Sequence, residues 1–146
     1  MDTMRYLLGF RNNIGEVMAK LWRIEWNNSK ETVSSLSELE ALLKEINSLG
    51  TPYLVVIQSP LNGDSLAVGL GKNKSVLNYI SGSLTPPYYT SIGSSDFVEE
   101  GVEFDFMGEW SEFPSKNLIP VEAAAEAVRH FYQYHEKSPK IEWEID

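Results

Sequence analysis

Few side chains in this 146-residue chain are equipped for chemistry, and most of those that are carry a carboxylate. There is no cysteine. That removes a thiol nucleophile, a disulfide framework, a cysteine zinc site and an iron–sulfur cluster. The only two histidines are His130 and His135. Five residues apart on a helix, they point in different directions. Glu126 and His130 stand at i and i+4 and could supply two metal ligands, but no third ligand is evident. A serine nucleophile would have to recruit one of these histidines, and no G-x-S-x-G elbow marks such a serine. Gly69-Leu70-Gly71-Lys72 invites comparison with a phosphate loop. A P-loop needs four residues between its glycines and a Ser or Thr after the Lys, so a hairpin turn is the better reading.

The carboxylates are unevenly spread. Residues 1–95 hold eight acids and eight bases, whereas residues 96–146 hold thirteen acids and four bases, which accounts for the whole net charge of −9. The densest run is Asp96, Glu99, Glu100, Glu103, Asp105, Glu109 and Glu112, with no base before Lys116. Three readings are open for it: a solvated, solubilising surface, a glycosidase-type carboxylate pair, or a face built to meet a basic partner. Trp110 lies inside the run, bracketed by Glu109 and Glu112. It reads either as a core or sheet-face aromatic or as an exposed anchor within a charged rim, the usual anatomy of a binding hot spot. Direct binding to nucleic acid or to an anionic membrane is disfavoured, because the net charge repels both.

The elements that must position these residues follow from hydropathy patterning. Trp22, Ile24 and Trp26 alternate with Arg23 and Glu25, as in a half-buried strand ended by Asn27-Asn28-Ser29. Residues 35–49 read as a helix: Leu36, Leu39, Leu42, Leu43, Ile46 and Leu49 recur at helical spacing. Ser35 and Glu38 form a capping box at its start, and Gly50 and Pro52 stop it. A meander follows. Its strands are Tyr53–Ile57, the alternating stretch Leu66–Leu70, Ser75–Ile80 and Tyr88–Ile92, with Asn62-Gly63 suited to a type I′ turn. Val102, Phe104 and Phe106 alternate with Glu103 and Asp105, which places those two acids on one outward face. Met107-Gly108 turns the chain, and Glu109–Phe113 returns beside it. Pro120 suits position N1 of a second helix, with Val121, Ala124, Ala125, Val128, Phe131 and Tyr132 as its buried stripe. Ile141, Trp143 and Ile145 make a terminal strand. Trp22, Trp26 and Trp143 each share a face with aliphatics and read as core.

The expected fold is therefore α+β: a mainly antiparallel sheet with two principal helices packed on it, in a single domain over residues 1–146. With 42% hydrophobic and 12% aromatic residues, disorder is not expected. No secretory h-region precedes a cleavage site, and no apolar run reaches the ~18 residues of a membrane span. The expected location is the cytoplasm, where the N-x-S triplets at Asn27 and Asn73 are chance matches.

The order of motifs also resembles a known family. Ala67-Val68-Gly69-Leu70-Gly71 follows a buried strand. Then come Val76-Leu77-Asn78-Tyr79, Tyr89-Thr90-Ser91 and Val102-Glu103-Phe104. Gly108-Glu109-Trp110-Ser111-Glu112-Phe113-Pro114, Ile119-Pro120, an Ala-rich helix and Pro139-Lys140-Ile141-Glu142-Trp143 complete the series. From Tyr53 onwards the chain resembles the first-numbered immunity-protein family of bacterial polymorphic toxin systems. The resemblance implies a non-enzymatic cytoplasmic inhibitor that neutralises a toxin domain, often a nucleic-acid deaminase and sometimes a nuclease. It supplies no catalytic residues and implies no cofactor or metal. Such a toxin presents a basic substrate-binding surface, so the expected contact residues are Asp96, Glu99, Glu100, Glu103, Asp105, Glu109 and Glu112, with Trp110 as anchor. The competing readings are an acidic interaction adaptor unrelated to toxins and a small carboxylate-dependent hydrolase. The latter would need acids of raised pKa lining a concave site.

Overall fold

The computed structural model describes residues 21–93 and 101–146. Eleven strands run in chain order among them: β1 (Trp22–Trp26), β2 (Ser29–Val33), β3 (Leu54–Gln58), β4 (Ser65–Gly69), β5 (Lys74–Ser75), β6 (Leu77–Ile80), β7 (Tyr89–Ile92), β8 (Val102–Phe106), β9 (Glu109–Phe113), β10 (Ile119–Pro120) and β11 (Glu142–Ile145). Helix α1 (Leu36–Ser48) lies between β2 and β3, and α2 (Val121–Tyr134) follows β10. Seven strands form one sheet in the order β11-β7-β6-β4-β3-β1-β2, and every neighbouring pair is antiparallel. The class is α+β, as the patterning predicts.

Both helices lay an apolar stripe on one face of this sheet. Leu39, Leu42 and Ile46 of α1 and Ala124, Ala127, Val128 and Phe131 of α2 join Ile24, Val55, Ile57, Leu66, Val68, Leu77 and Tyr79 in the main core. Trp22 is buried there, with its ring edge-on to Phe131 at 5.2 Å and stacked on His135 at 4.9 Å. Trp26 and Trp143 are half-buried and pack against the same core. Alternation along β3 sends Leu54 to the opposite face. There Val76, Phe104 and Leu118 form a second core with Leu54, Val102 and Phe113.

That second core seats β8 and β9, which form a two-stranded sheet of their own among the described residues, joined to the β3 side by a single parallel bridge between Asp105 and Tyr53. Phe104 is fully buried, and its ring lies against Gly69 so closely that a Cβ there would sit 2.7 Å from two ring carbons. The backbone N–H of Asp105 donates to the carbonyl of Pro52 at 2.7 Å, which ties β8 to the start of β3. Gly69→Ala is therefore expected to push Phe104 out of its seat and destabilise the protein by about 1–3 kcal/mol, the usual cost of overpacking. A urea-denaturation midpoint equal to that of the unsubstituted protein would refute this.

Several local expectations need correction. Of Asn62-Gly63, only Gly63 takes a positive φ (75°), so the turn is not type I′. The connection runs from Ser59 to Asp64, closed by Ser59 N–H to Asp64 O at 2.8 Å, and the Asn62 amide is committed to the carbonyl of His135 at 3.0 Å. The two-residue turn with both φ positive is Met107-Gly108 (53° and 90°). Ser75–Ile80 is not one strand. It breaks at Val76, because Lys74-Ser75 pair with Ile119-Pro120 while Leu77–Ile80 stay beside β4. The capping box is half-formed: Ser35 Oγ accepts from Glu38 N–H at 3.1 Å, but Glu38 reaches the Ser34 hydroxyl instead of Ser35. Pro120 is the N-cap of α2 rather than N1. The stripe of α2 buries Ala127 and leaves Ala125 exposed. Leu49, expected on the buried stripe of α1, is 61% exposed.

Candidate binding face

The expected contact residues divide by location. Asp96, Glu99 and Glu100 lie outside the described residues. Glu103 and Asp105 stand on β8, and Glu109, Trp110 and Glu112 on β9. Antiparallel pairing sets Glu103 opposite Glu112 and Asp105 opposite Trp110. Residues directly opposite share a face of the sheet, so these four form one cross-strand patch. Glu109 pairs with Phe106 and belongs to the other face of the ribbon, yet it too is exposed, as are all of Glu109–Glu112.

Asp105 departs from the outward placement. It is buried, and its Oδ1 accepts the Gly108 N–H at 2.8 Å. The carboxylate thus holds the turn that its own strand enters. The Asp105 backbone N–H in turn donates to the Pro52 carbonyl at 2.7 Å, which holds this end of β8 against the segment that enters β3. Trp110 resolves the other way. It is 55% exposed, a sheet-face aromatic outside both cores. Met107, at the tip of the turn, is also exposed. Its one sequence signal was its place before Gly108, between two alternating runs.

Among the described residues no base neutralises the charge on this patch. None of the ion pairs among the described residues includes Glu103, Glu109 or Glu112. The nearest base in sequence, Lys116, is engaged elsewhere. Its Nζ lies 3.2 Å from Glu144, whose carboxyl is held below its usual range first by the Asn117 amide and then by Lys116. Glu103 and Glu112 therefore face each other as a like-charged cross-strand pair, which is destabilising. Glu103→Gln should relieve the repulsion and raise stability by about 0.2–1 kcal/mol at low ionic strength. Chemical denaturation in dilute buffer tests this, and an unchanged or lower midpoint counts against the unneutralised pair.

The other chemical candidates are accounted for by ordinary packing. His135 Nδ1 is 2.5 Å from the Ser59 hydroxyl, but Ser59 is buried and that oxygen also accepts the Leu61 N–H. His130 Nε2 pairs with Glu136 at 3.1 Å, and Glu126 with Lys140 at 3.3 Å, so the two possible ligands are in separate pairs. Gly69 and Gly71 belong to the end of β4 and the turn after it. The cleft between α1 and α2, about 180 Å³, is lined mainly by apolar side chains such as Leu43, Val68, Leu70 and Val128, and includes none of the β8–β9 acids. No helix of the described residues is long and apolar enough to cross a membrane.

The described residues thus form an α+β scaffold with an acidic ribbon, whose exposed acids are in no ion pair among those residues, and an exposed tryptophan. The family model for immunity protein Imm1 matches residues 27–144, and the chain belongs to that immunity-protein family. No curated protein matches the chain. Membership points to a binding role, with a cognate toxin as the partner, rather than to a catalytic one.

Proposed function

We propose that this immunity protein neutralises a nucleic-acid-directed toxin, a deaminase or a nuclease, by covering the basic surface on which that toxin binds its substrate. The observation that carries the reading is the β8–β9 ribbon. Its exposed acids have no cationic partner among the described residues, and Trp110 stands among them. Glu103, Glu109 and Glu112 supply the charged rim, joined by Asp96, Glu99 and Glu100, and Trp110 is the anchor. Asp105 serves the same face by holding the turn.

The mechanism follows from charge and sterics. An enzyme acting on DNA or RNA neutralises phosphates with Lys and Arg. An acidic protein competes for the same groups, and complementary charge raises the rate of encounter. Blocking access suffices to stop the chemistry, so no catalytic group is needed in the inhibitor.

The test is co-expression with the toxin domain encoded beside this chain, scored by survival and by recovery of a complex. The reading expects survivors and a stable complex whose formation slows as salt is raised. Survival without any complex would contradict it and point to chemical detoxification. A complex insensitive to salt would remove the electrostatic part of the reading.

A further inference from the structure

The register of the ribbon says more than that it is acidic. Phe106 and Glu109 flank a two-residue turn, so they exchange both backbone hydrogen bonds. Hydrogen-bonded and non-hydrogen-bonded pairs alternate along an antiparallel ladder. Phe104–Ser111 and Val102–Phe113 are therefore bonded pairs, and Asp105–Trp110 and Glu103–Glu112 are not. The N–H and C=O groups of the non-bonded residues point away from the partner strand. On β8 this is visible, since Asp105 N–H goes outward to Pro52 O. On β9 the outward groups are those of Trp110 and Glu112. Among the described residues β9 pairs with no strand but β8, and neither Trp110 nor Glu112 gives a backbone hydrogen bond outside that ladder.

An open edge with two donors and two acceptors is a template for another strand. Among the described residues the large sheet also ends in strands without an outer neighbour, β2 and β11, but their charges are partly engaged: Lys30 lies 3.9 Å from Glu25, and Glu144 is held by Lys116 and Asn117. At β9 the residues offering the backbone are the same ones that offer Trp110 and the unpaired carboxylate of Glu112.

We propose that the toxin docks by adding an extended basic segment to the free edge of β9, with the Trp110 and Glu112 backbones completing its ladder. The segment carries Lys or Arg at alternate positions on one face, so that one cation meets Glu112 and Glu103 while a neighbouring guanidinium or aliphatic stem lies on the Trp110 ring. Main-chain bonds then set the register, and the alternate side chains supply the selectivity. The inference rests on the toxin-binding reading above and gives it a geometry.

Two measurements test it on the full chain with the neighbouring-gene toxin domain. In residue-resolved amide hydrogen exchange, the Trp110 and Glu112 amides should exchange fast in the free protein and at least about tenfold more slowly in the complex. The Ser111 and Phe113 amides, already inside the ladder, serve as references. In binding, Glu112→Pro removes an edge donor while leaving the bonded pairs intact, as proline does on edge strands. It should weaken the complex about tenfold or more beyond Glu112→Gln, which removes only the charge. A complex that forms, weakens on neutralising Glu103, Glu109 and Glu112, but leaves the Trp110 and Glu112 amides unprotected overturns strand addition and spares the acidic-face reading. A complex indifferent to those neutralisations, with no protection anywhere on β9, overturns both. If the proline variant does not fold, the exchange data decide alone.

Discussion

Phe104→Ala is expected to lower stability by about 3–5 kcal/mol, the range for emptying a phenylalanine site in a core. In a chain of this size that corresponds to a melting point roughly 10–16 °C lower. The basis is local. Phe104 is fully buried, touches Gly69, and lies edge-on to Phe113 with ring centroids 6.2 Å apart. Among the described residues it belongs to a core with two other buried apolar members, Val76 and Leu118, so little neighbouring apolar mass is available to close over the gap. The loss should also be uneven. The main core contacts of α1 and α2 lie on the opposite face of the sheet, so β8 and β9 should loosen first. Exchange at amides of the β8–β9 ladder should rise more than at β3 or β4. A uniform change, or a loss below about 1 kcal/mol, would mean that Phe104 is not the anchor of the ribbon.

Trp110→Ala is expected to do the reverse: leave folding nearly untouched and damage binding. Exposed substitutions outside a core usually change stability by no more than about 0.5 kcal/mol, and Trp110 is 55% exposed. Removing an aromatic anchor from an interface costs about 2 kcal/mol or more, equivalent to roughly 30-fold in affinity. Combined with Glu109→Lys and Glu112→Lys, the association rate should also fall, by about 10-fold or more at low salt, and should no longer slow as salt is raised. Stopped-flow association with the toxin domain separates the two effects: the tryptophan acts mainly on dissociation, the charges on association. A triple variant that binds at the original rate and affinity would move the contact surface off this ribbon.

Much of the architecture was legible because burial writes a period into the chain. Trp22-Ile24-Trp26, the leucines of α1 and the alternation around Phe104 each fixed an element and its inward face. The elements missed were those without such a period. β2 is an edge strand of Ser29, Lys30, Glu31 and Thr32, with only Val33 buried, so nothing in its hydropathy distinguishes it from a loop. β5 and β10 are two residues each and exist only through each other. Turn chemistry misled in an instructive way. Asn62-Gly63 has the composition of a type I′ turn, but Asn62 bonds to the end of α2 and the loop widens. Met107-Gly108 has weaker composition, yet the tight register of β8 and β9 demands positive φ at both positions.

The candidate face was legible in part for the same reason. Charge density marked the segment, and alternation put Glu103 outside. It could not show that Asp105, on the same face, would be buried, with its backbone bonded to the carbonyl of Pro52, 53 residues earlier in the chain. Nor could it choose between a core and an exposed Trp110, because that depends on what covers β9. The family resemblance, drawn on residues from Tyr53 onwards, is matched by a family model that reaches back to residue 27.

We propose the β8–β9 ribbon as the surface through which this immunity protein neutralises its toxin. The most direct measurement is survival of cells expressing the toxin domain together with either the unsubstituted chain or the Glu109→Lys/Trp110→Ala/Glu112→Lys variant, with folding of both verified by thermal melts. Survival is expected with the first and death with the second, at matched melting points. Equal survival with both would contradict it.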